Sequence, residues 1–331
     1  MKVGLLGAGG IAQTHAKALR RLGAEIDCVC SRTLEGAMAF DSSAAAYDDF
    51  ERMLDERKIE ALYVCLPPDA HHGQVEKAAE RGIHLFLEKP VALTTKQAES
   101  QVAAIEKAGV VSLVGHHLRF SDPVVRLREM VARGEAGQPT LFQAAWLCNA
   151  LHSPWWSKVE RSGGQLVEQA IHLYDLAYHL FGKPMVVSAH LDNLCHDRIE
   201  GYTVEDTSAS LIRFENGAIA TVSASNCAVP TQWRGTWRAV FGNTTVESDG
   251  SKATLWHTGK SAEYFFSTNQ QVRSEDVTGS ADVYLEQSRH FLAAVRGEIE
   301  SLTPARQGLE VLHLVLAAVE SAKRDGATVR L

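Results

Sequence analysis

The run Lys2-Val3-Gly4-Leu5-Leu6-Gly7-Ala8-Gly9-Gly10-Ile11-Ala12 decides how this chain is read. A short apolar segment meets a glycine turn of the pattern G-x-G-x-x-G/A. Ile11, Ala12, Ala16, Leu19 and Leu22 then recur at helical spacing, and Ile26-Asp27-Cys28-Val29-Cys30 forms the next apolar run. A glycine fingerprint placed between a strand and a helix, inside a strand-helix-strand unit, points to dinucleotide binding. Each small residue has a task. Gly7 allows the tight turn, Gly9 lets backbone N–H groups approach a pyrophosphate, and Ala12 lets the helix pack close to its strand. Gly10 and Ile11 open a helix whose unpaired amides and partial positive charge face the phosphates.

The pattern continues outward from this unit. Residues 62–66, 84–87 and 110–114 are continuous apolar runs, as expected of parallel strands buried on both faces. Helical patterns over 73–80 and 95–108 separate them. This alternation predicts an α/β, doubly wound parallel sheet, a Rossmann domain over residues 1–120. The grammar changes after Pro123. A helix is expected over 124–133, and strands over 208–214 and 218–224 flank Glu215-Asn216-Gly217, a hairpin signal. Segments 237–241, 244–248, 253–257 and 262–266 extend the series. They predict a substrate-binding and oligomerisation α+β domain over 121–331, with a large, mostly antiparallel open sheet. Two helices close the chain, over 284–296 and from Thr303-Pro304 to Gly326, and are expected to pack back near the first domain.

Composition narrows the class. The chain has 331 residues, 45% hydrophobic and 22% charged, which is ordinary for a two-domain globular protein. Its net charge of -7, with Lys and Arg spread along the chain, offers no footprint for nucleic acid or an anionic membrane. No apolar stretch is long enough to span a bilayer. The apolar N-terminus belongs to the first strand, so no signal peptide is expected. The six cysteines contain no C-x-x-C pair and read as reduced, mostly buried thiols of a cytoplasmic protein.

Two further stretches carry chemistry. Ser31-Arg32-Thr33 ends the second strand. A carboxylate there would bind the ribose 2′-hydroxyl of NAD. Arginine suits the 2′-phosphate of NADP, and Ser31 and Thr33 add hydroxyl donors, so NADP(H) is favoured over NAD(H). Glu88-Lys89-Pro90 follows Leu87 at the carboxyl end of a strand, where ligands of open α/β sheets bind. A partly desolvated lysine beside a cationic nicotinamide should have a lowered pKa. His71, after Pro67-Pro68, falls on the cofactor side of the same edge, whereas His72 reads as surface. In the second half, Ser162-Gly163-Gly164-Gln165 leads into a segment read as a helix. On it Glu168, His172, Asp175 and His179 share one face, and Leu173, Leu176, Ala177 and Leu180 form the opposite core stripe. No second cluster with ligand spacing accompanies this face, so no metal is expected. Trp155-Trp156 suit either a sugar's C–H surface or packing, and Cys195-His196-Asp197 reads as a loop.

Together these motifs resemble the glucose-fructose oxidoreductase, inositol dehydrogenase and MocA family. They are Gly7-x-Gly9-x-x-Ala12, Pro67-Pro68 with His71, Glu88-Lys89-Pro90, Arg119-Phe120, and Gly163-Gly164 ahead of Glu168-x-x-x-His172-x-x-Asp175. The resemblance spans the chain and implies NAD(P)-dependent hydride transfer between a sugar, inositol or polyol carbinol and its ketone. It implies that Lys89 and His172 line the substrate and move its proton, and that Glu168 hydrogen-bonds substrate hydroxyls. Leu66, Pro67, His71, Glu88, Lys89 and His117 would lie along the cofactor. It further implies a homodimer or homotetramer formed through the open face of the second domain's sheet. Three positions depart from the family pattern: Glu168 stands where aspartate is common, His117 where asparagine is frequent, and Gln165 in place of a third glycine. These bear on the substrate more than on the fold. In the chemistry so implied, His172 accepts the hydroxyl proton while Lys89 bonds the same oxygen. Which of them is the formal base stays open. Two other readings remain: a cofactor-retaining lyase or glycosidase, and a non-catalytic NADP-binding regulatory protein.

Overall fold

A computed structural model of the chain describes residues 1–149, 153–250, 252–258, 272–279 and 281–331. It contains two compact units, Met1–His117 with Asp282–Leu312, and Leu118–Ala281 with His313–Leu331.

The first unit runs β1 (Lys2–Leu6), α1 (Gly10–Arg21), β2 (Glu25–Cys30), α2 (Leu34–Phe40), β3 (Ala45–Tyr47), α3 (Phe50–Glu56), β4 (Ala61–Val64), α4 (Gln74–Glu80), β5 (His84–Leu87), α5 (Thr95–Ala108) and β6 (Ser112–Val114). The sheet order is β3-β2-β1-β4-β5-β6, with every neighbouring pair parallel. β4 is buried at every position, and β1 and β5 at all but their first residues, which is why these strands read as continuous apolar runs. Three of its helices start on side-chain caps. Thr33, Asp49 and Thr94 accept from Gly36, Arg52 and Gln97 N–H and begin α2, α3 and α5.

The second unit contributes α6 (Asp122–Ala132), β7 (Pro139–Cys148), α7 (Val159–Ser162), a π-helical turn (Leu166–Ala170), α8 (Ile171–Phe181), β8 (Pro184–Asp192), β9 (Thr207–Phe214), β10 (Ile219–Ser225), β11 (Trp233–Phe241), β12 (Thr244–Ser248), β13 (Lys252–His257) and β14 (Arg273–Thr278). After it come α9 (Val283–Val295), α10 (Ala305–Lys323) and β15 (Val329–Arg330). The nine-stranded sheet has the order β14-β13-β12-β11-β7-β10-β9-β8-β15. Its pairs are antiparallel except β7 with β10, which run parallel from Leu141↔Ile219 to Leu147↔Ser225. One face is covered. Phe142, Ala220, Val222, Ile212 and Phe214 are buried, whereas Leu211 and Ile219 on alternate positions are exposed. Phe181 of α8 packs against Phe142, Phe214 and Phe241 on the covered side. The Asn216-Gly217 hairpin joins β9 to β10 as its sequence indicates. The expected strand at 262–266 lies outside the described residues.

The division between units differs from a single cut at residue 120. Asp282–Leu312 belongs with the first unit because its apolar side chains find their partners there. Phe291 of α9 stands edge-on to Tyr63 and Phe86, 5.6 and 5.7 Å away, and those two rings stack at 4.3 Å. Gly308 of α10 sits so close to the Val114 and Val91 side chains that a Cβ would lie 2.8 and 3.0 Å from them. Cys28, Cys30, Cys65 and Cys148 are free and buried. Burial pushes the Cys28 and Cys30 thiols up to about 12 and about 11, so both are protonated at neutral pH. Among the described residues no helix is long and apolar enough to cross a membrane.

Candidate functional site

In the first unit the strand order reverses between β1 and β4, and ligands of open α/β sheets bind beyond the carboxyl ends of the strands at such a reversal. Gly7 leaves β1 with φ +105, its N–H donating to the Cys30 carbonyl at 2.8 Å. A Cβ at Gly7 would stand 2.4 Å from the Cys65 carbonyl oxygen, so only glycine lets the turn pass the end of β4. Gly9 and Gly10 differ. A Cβ on either would meet no atom within 4 Å. The first turn of α1 thus opens beside Gly9 and Gly10 onto space free of other described residues, with no side-chain cap and no acidic residue in it to satisfy its amides. These residues fit a pyrophosphate. Ser31, Arg32 and Thr33 follow β2. Arg32 is exposed, while the Thr33 hydroxyl oxygen is engaged by the Gly36 N–H as the cap of α2.

Leu66 and Pro67 follow β4 and are half-buried. His71 is buried behind them, its ring nitrogen 3.4 Å from Gln101 Nε2 and its carbonyl accepting from Gln97 Nε2 at 2.7 Å. Burial lowers its pKa to about 4, so the ring is neutral in use. His72 is exposed. Glu88, at the end of β5, is buried, and its Oε1 lies 2.6 Å from His15 Nε2 of α1. Its Oε2 accepts the Lys89 N–H at 3.2 Å. Burial alone would raise the Glu88 carboxyl. The His15 hydrogen bond and the charges of His15, Lys89 and His117 outweigh it and hold the group below its ordinary value. Lys89 is half-buried and precedes a cis bond to Pro90. The His117 ring stacks on Tyr284 at 5.2 Å.

In the second unit Gly163 and Gly164 both have positive φ, and a Cβ on Gly164 would come 2.4 Å from Glu205 Oε2. Glu205 Oε1 accepts the Leu166 N–H at 2.8 Å, supplying from another element the cap that Gln165 does not provide. Burial pushes this carboxyl up to about 7, against the backbone N–H bonds that favour its charged form. The segment is not one regular helix. A π turn over Leu166–Ala170 precedes α8, and such turns occur frequently at functional sites. Glu168 is half-buried and accepts the Trp156 indole N–H at 2.8 Å. Trp156 itself is fully buried with Tyr202 and Val204, which settles its role as packing that also steadies a carboxylate. His172 is 4% exposed, with its ring 6.0 Å from that of Trp146.

The polar face read from the helix pattern divides by role. Asp175 is wholly buried and engages Arg119, whose Nε and Nη2 donate to Oδ1 and Oδ2 at 2.6–3.1 Å. This ion pair ties residue 119 to α8. His179 is half-buried and driven down to about 3, first by burial and then by the Arg119 charge. The core stripe is wider than four residues, since α8 is buried from Ile171 through Ala177. His15 and Glu205 carry no local sequence signal, because their partners lie 73 and 39 residues away in sequence.

A Rossmann unit with an open glycine turn and a lysine at the carboxyl edge of its sheet, in a chain with an α+β unit built on a large open sheet, defines a nicotinamide-dependent oxidoreductase. Family models agree along the chain. The NAD-binding Rossmann fold of an oxidoreductase family matches residues 1–116, and the GFO/IDH/MocA C-terminal domain matches 124–256. The chain belongs to the GFO/IDH/MocA oxidoreductase family. It is similar to the uncharacterised oxidoreductase YrbE of Bacillus subtilis, 30% identical over 68% of this chain and 67% of that one. It is similar over its whole length to the D-glucoside 3-dehydrogenase of Escherichia coli, 28% identical and covering 97% of that protein. Its fold matches the WlbA dehydrogenase of Bordetella pertussis, solved with NADH and UDP-GlcNAcA, with a TM-score of 0.83 and 24% identity over 100% of this chain and 98% of that one.

Proposed function

We propose that the protein is a dehydrogenase or reductase that acts on a carbinol of a sugar, inositol or related polyol and uses NADP(H) in preference to NAD(H). The observation that carries this reading is the glycine turn at the N-terminus of α1, where side chains are kept away from Gly9 and Gly10, in the same sheet whose β5 leads into Glu88-Lys89. Gly7, Gly9, Gly10 and Ile11 would hold the pyrophosphate, Ser31, Arg32 and Thr33 the adenosine ribose with its 2′-phosphate, and Leu66, Pro67, His71, Glu88 and His117 the remainder. The nicotinamide, when bound, supplies the two-electron acceptor or donor. Arg32, exposed and without a carboxylate beside it in the Ser31-Arg32-Thr33 turn, supports the phosphorylated cofactor.

Lys89 and His172 move the hydroxyl proton, and Lys89 adds positive charge where the substrate oxygen becomes anionic. Glu88, held anionic by His15, anchors the Lys89 backbone N–H through Oε2. Glu168, steadied by Trp156, accepts a neighbouring substrate hydroxyl. The relative that acts on D-glucosides supports a sugar hydroxyl as the reacting group. Free buried thiols suit the cytoplasm. The exposed face of the nine-stranded sheet, with Leu211 and Ile219 uncovered, supports a homodimer or homotetramer formed there.

The test is incubation with NADP⁺ or NAD⁺ and a panel of sugars, inositols and their ketones, followed by nicotinamide absorbance and product analysis. Net reduction or oxidation of the nicotinamide is the expected result. Product without net change would replace this reading with a cofactor-retaining lyase or glycosidase.

A further inference from the structure

One cluster away from these residues combines soft and hard metal-ligating atoms. The Sγ atoms of Cys195 and Cys227 and a carboxylate oxygen of Asp206 all lie within 4.8 Å of one another. We propose that these three side chains bind a divalent cation of the zinc type, with two thiolates and one carboxylate as ligands and an open position toward the exposed Cys195.

The three residues are distant in sequence and are gathered by strand register. Asp192, at the end of β8, pairs with Thr207 at the start of β9, and Thr207 pairs with Ser225 at the end of β10. Cys195, Asp206 and Cys227 stand just beyond those pairs, at one end of three adjacent strands. Asp206 is buried and pinned. It accepts the N–H groups of Leu194, Cys195 and His196 at 3.0, 2.7 and 3.0 Å, the Thr207 hydroxyl at 3.0 Å, and a contact from His196 Nδ1 at 2.9 Å. Outer hydrogen bonds of this kind orient a ligating carboxylate.

Zinc bonds of about 2.0–2.3 Å place tetrahedral ligands roughly 3.5–3.8 Å apart, so the three ligand atoms draw together on binding. Binding M²⁺ releases one proton from each thiol to solvent and changes no oxidation state. The site would brace the loop between β8 and β9. His196 stacks on Tyr202 at 4.9 Å, and Tyr202 packs in the buried cluster of Trp156, the residue that steadies Glu168.

The experiment titrates cobalt(II) into the reduced full-length protein and follows the thiolate-to-cobalt charge-transfer band, with zinc as competitor. Stoichiometric binding is expected, with the band lost in Cys195→Ser and in Cys227→Ser. In the unaltered protein, zinc should also protect Cys195 and Cys227 from iodoacetamide, read by peptide mass spectrometry. That second readout needs no variant and is unaffected if a substitution misfolds. Absence of the band with both thiols titratable, persistence of the band in the double variant, or recovery of Cys195 and Cys227 as a metal-free disulfide would each overturn the proposal.

Discussion

Asp175 and Arg119 form an ion pair whose removal should be felt throughout the second unit. Both side chains are at most 1% exposed, and the contacts run at 2.6, 2.9 and 3.1 Å between one guanidinium and one carboxylate. Asp175→Ala leaves a guanidinium buried without that counter-charge, a change that costs about 3–5 kcal/mol. For a unit of this size each kcal/mol lowers Tm by about 2–4 °C, so the expected fall is roughly 6–20 °C. Asp175→Asn retains one acceptor oxygen and should fall at the lower end of that range. Replacing both partners with apolar residues, Arg119→Met with Asp175→Leu, should recover most of the loss, because no charge is then stranded. Calorimetry and urea unfolding of the four proteins test the reasoning. A loss for Asp175→Ala of under about 1 kcal/mol, the value of an exposed pair, would refute it. So would a double variant no more stable than the single.

Trp156→Phe keeps the ring but removes the N–H that Glu168 accepts at 2.8 Å. A bond to a charged group is worth about 1.5–3 kcal/mol, so kcat/KM should fall roughly 10- to 100-fold, and an unchanged value would dismiss Glu168 as a positioned substrate ligand. Arg32→Asp should move cofactor preference toward NADH at least about tenfold. Steady-state kinetics with both cofactors would contradict the reading if the ratio stayed the same. The Glu205 carboxyl titrates at about 7 in the folded chain, above its ordinary value, so the folded state holds this proton more tightly than the unfolded one. Its contribution is therefore favourable at low pH and is lost as pH rises from about 4.3 through 7. Glu205→Gln, which still offers an acceptor to the Leu166 N–H, should flatten that part of a Tm-against-pH curve. Parallel curves for the two proteins would exclude Glu205 as the source.

The legible parts of this chain share a physical cause. β1, α1 and β2 were readable because glycine requirements and apolar periodicity act within a few residues. β7 and β8 were not. Each begins at a proline and mixes buried with half-buried and exposed positions, so neither shows a continuous apolar run. β14, Arg-Ser-Glu-Asp-Val-Thr, lies at a sheet edge and is polar throughout most of its length. Charged edge strands resist unwanted pairing, and the same charges conceal them from pattern reading. In the candidate site, Lys89, Glu168 and His172 were marked by local motifs. The partnerships that fix the environment, His15 with Glu88, Trp156 with Glu168, Arg119 with Asp175 and Glu205 with the turn before α8, are not legible locally, because they form only through tertiary folding. The π turn before α8 also escaped notice, since its residues have the apolar spacing of an ordinary helix.

The sharpest test of the account exploits the difference between two glycines. Gly9 has φ -85 and ψ -176, extended backbone that any residue adopts, and among the described residues a Cβ there meets no atom within 4 Å beyond its chain neighbours. Gly9→Val should therefore fold as the unaltered chain does while filling the place assigned to the pyrophosphate. NADPH and NADH fluorescence titrations, run beside thermal melts, measure both consequences. The account predicts dinucleotide binding by the unaltered protein and at least a tenfold weakening in Gly9→Val at an unchanged Tm. A folded parent that binds neither dinucleotide, or a valine variant that binds as tightly as its parent, would contradict it.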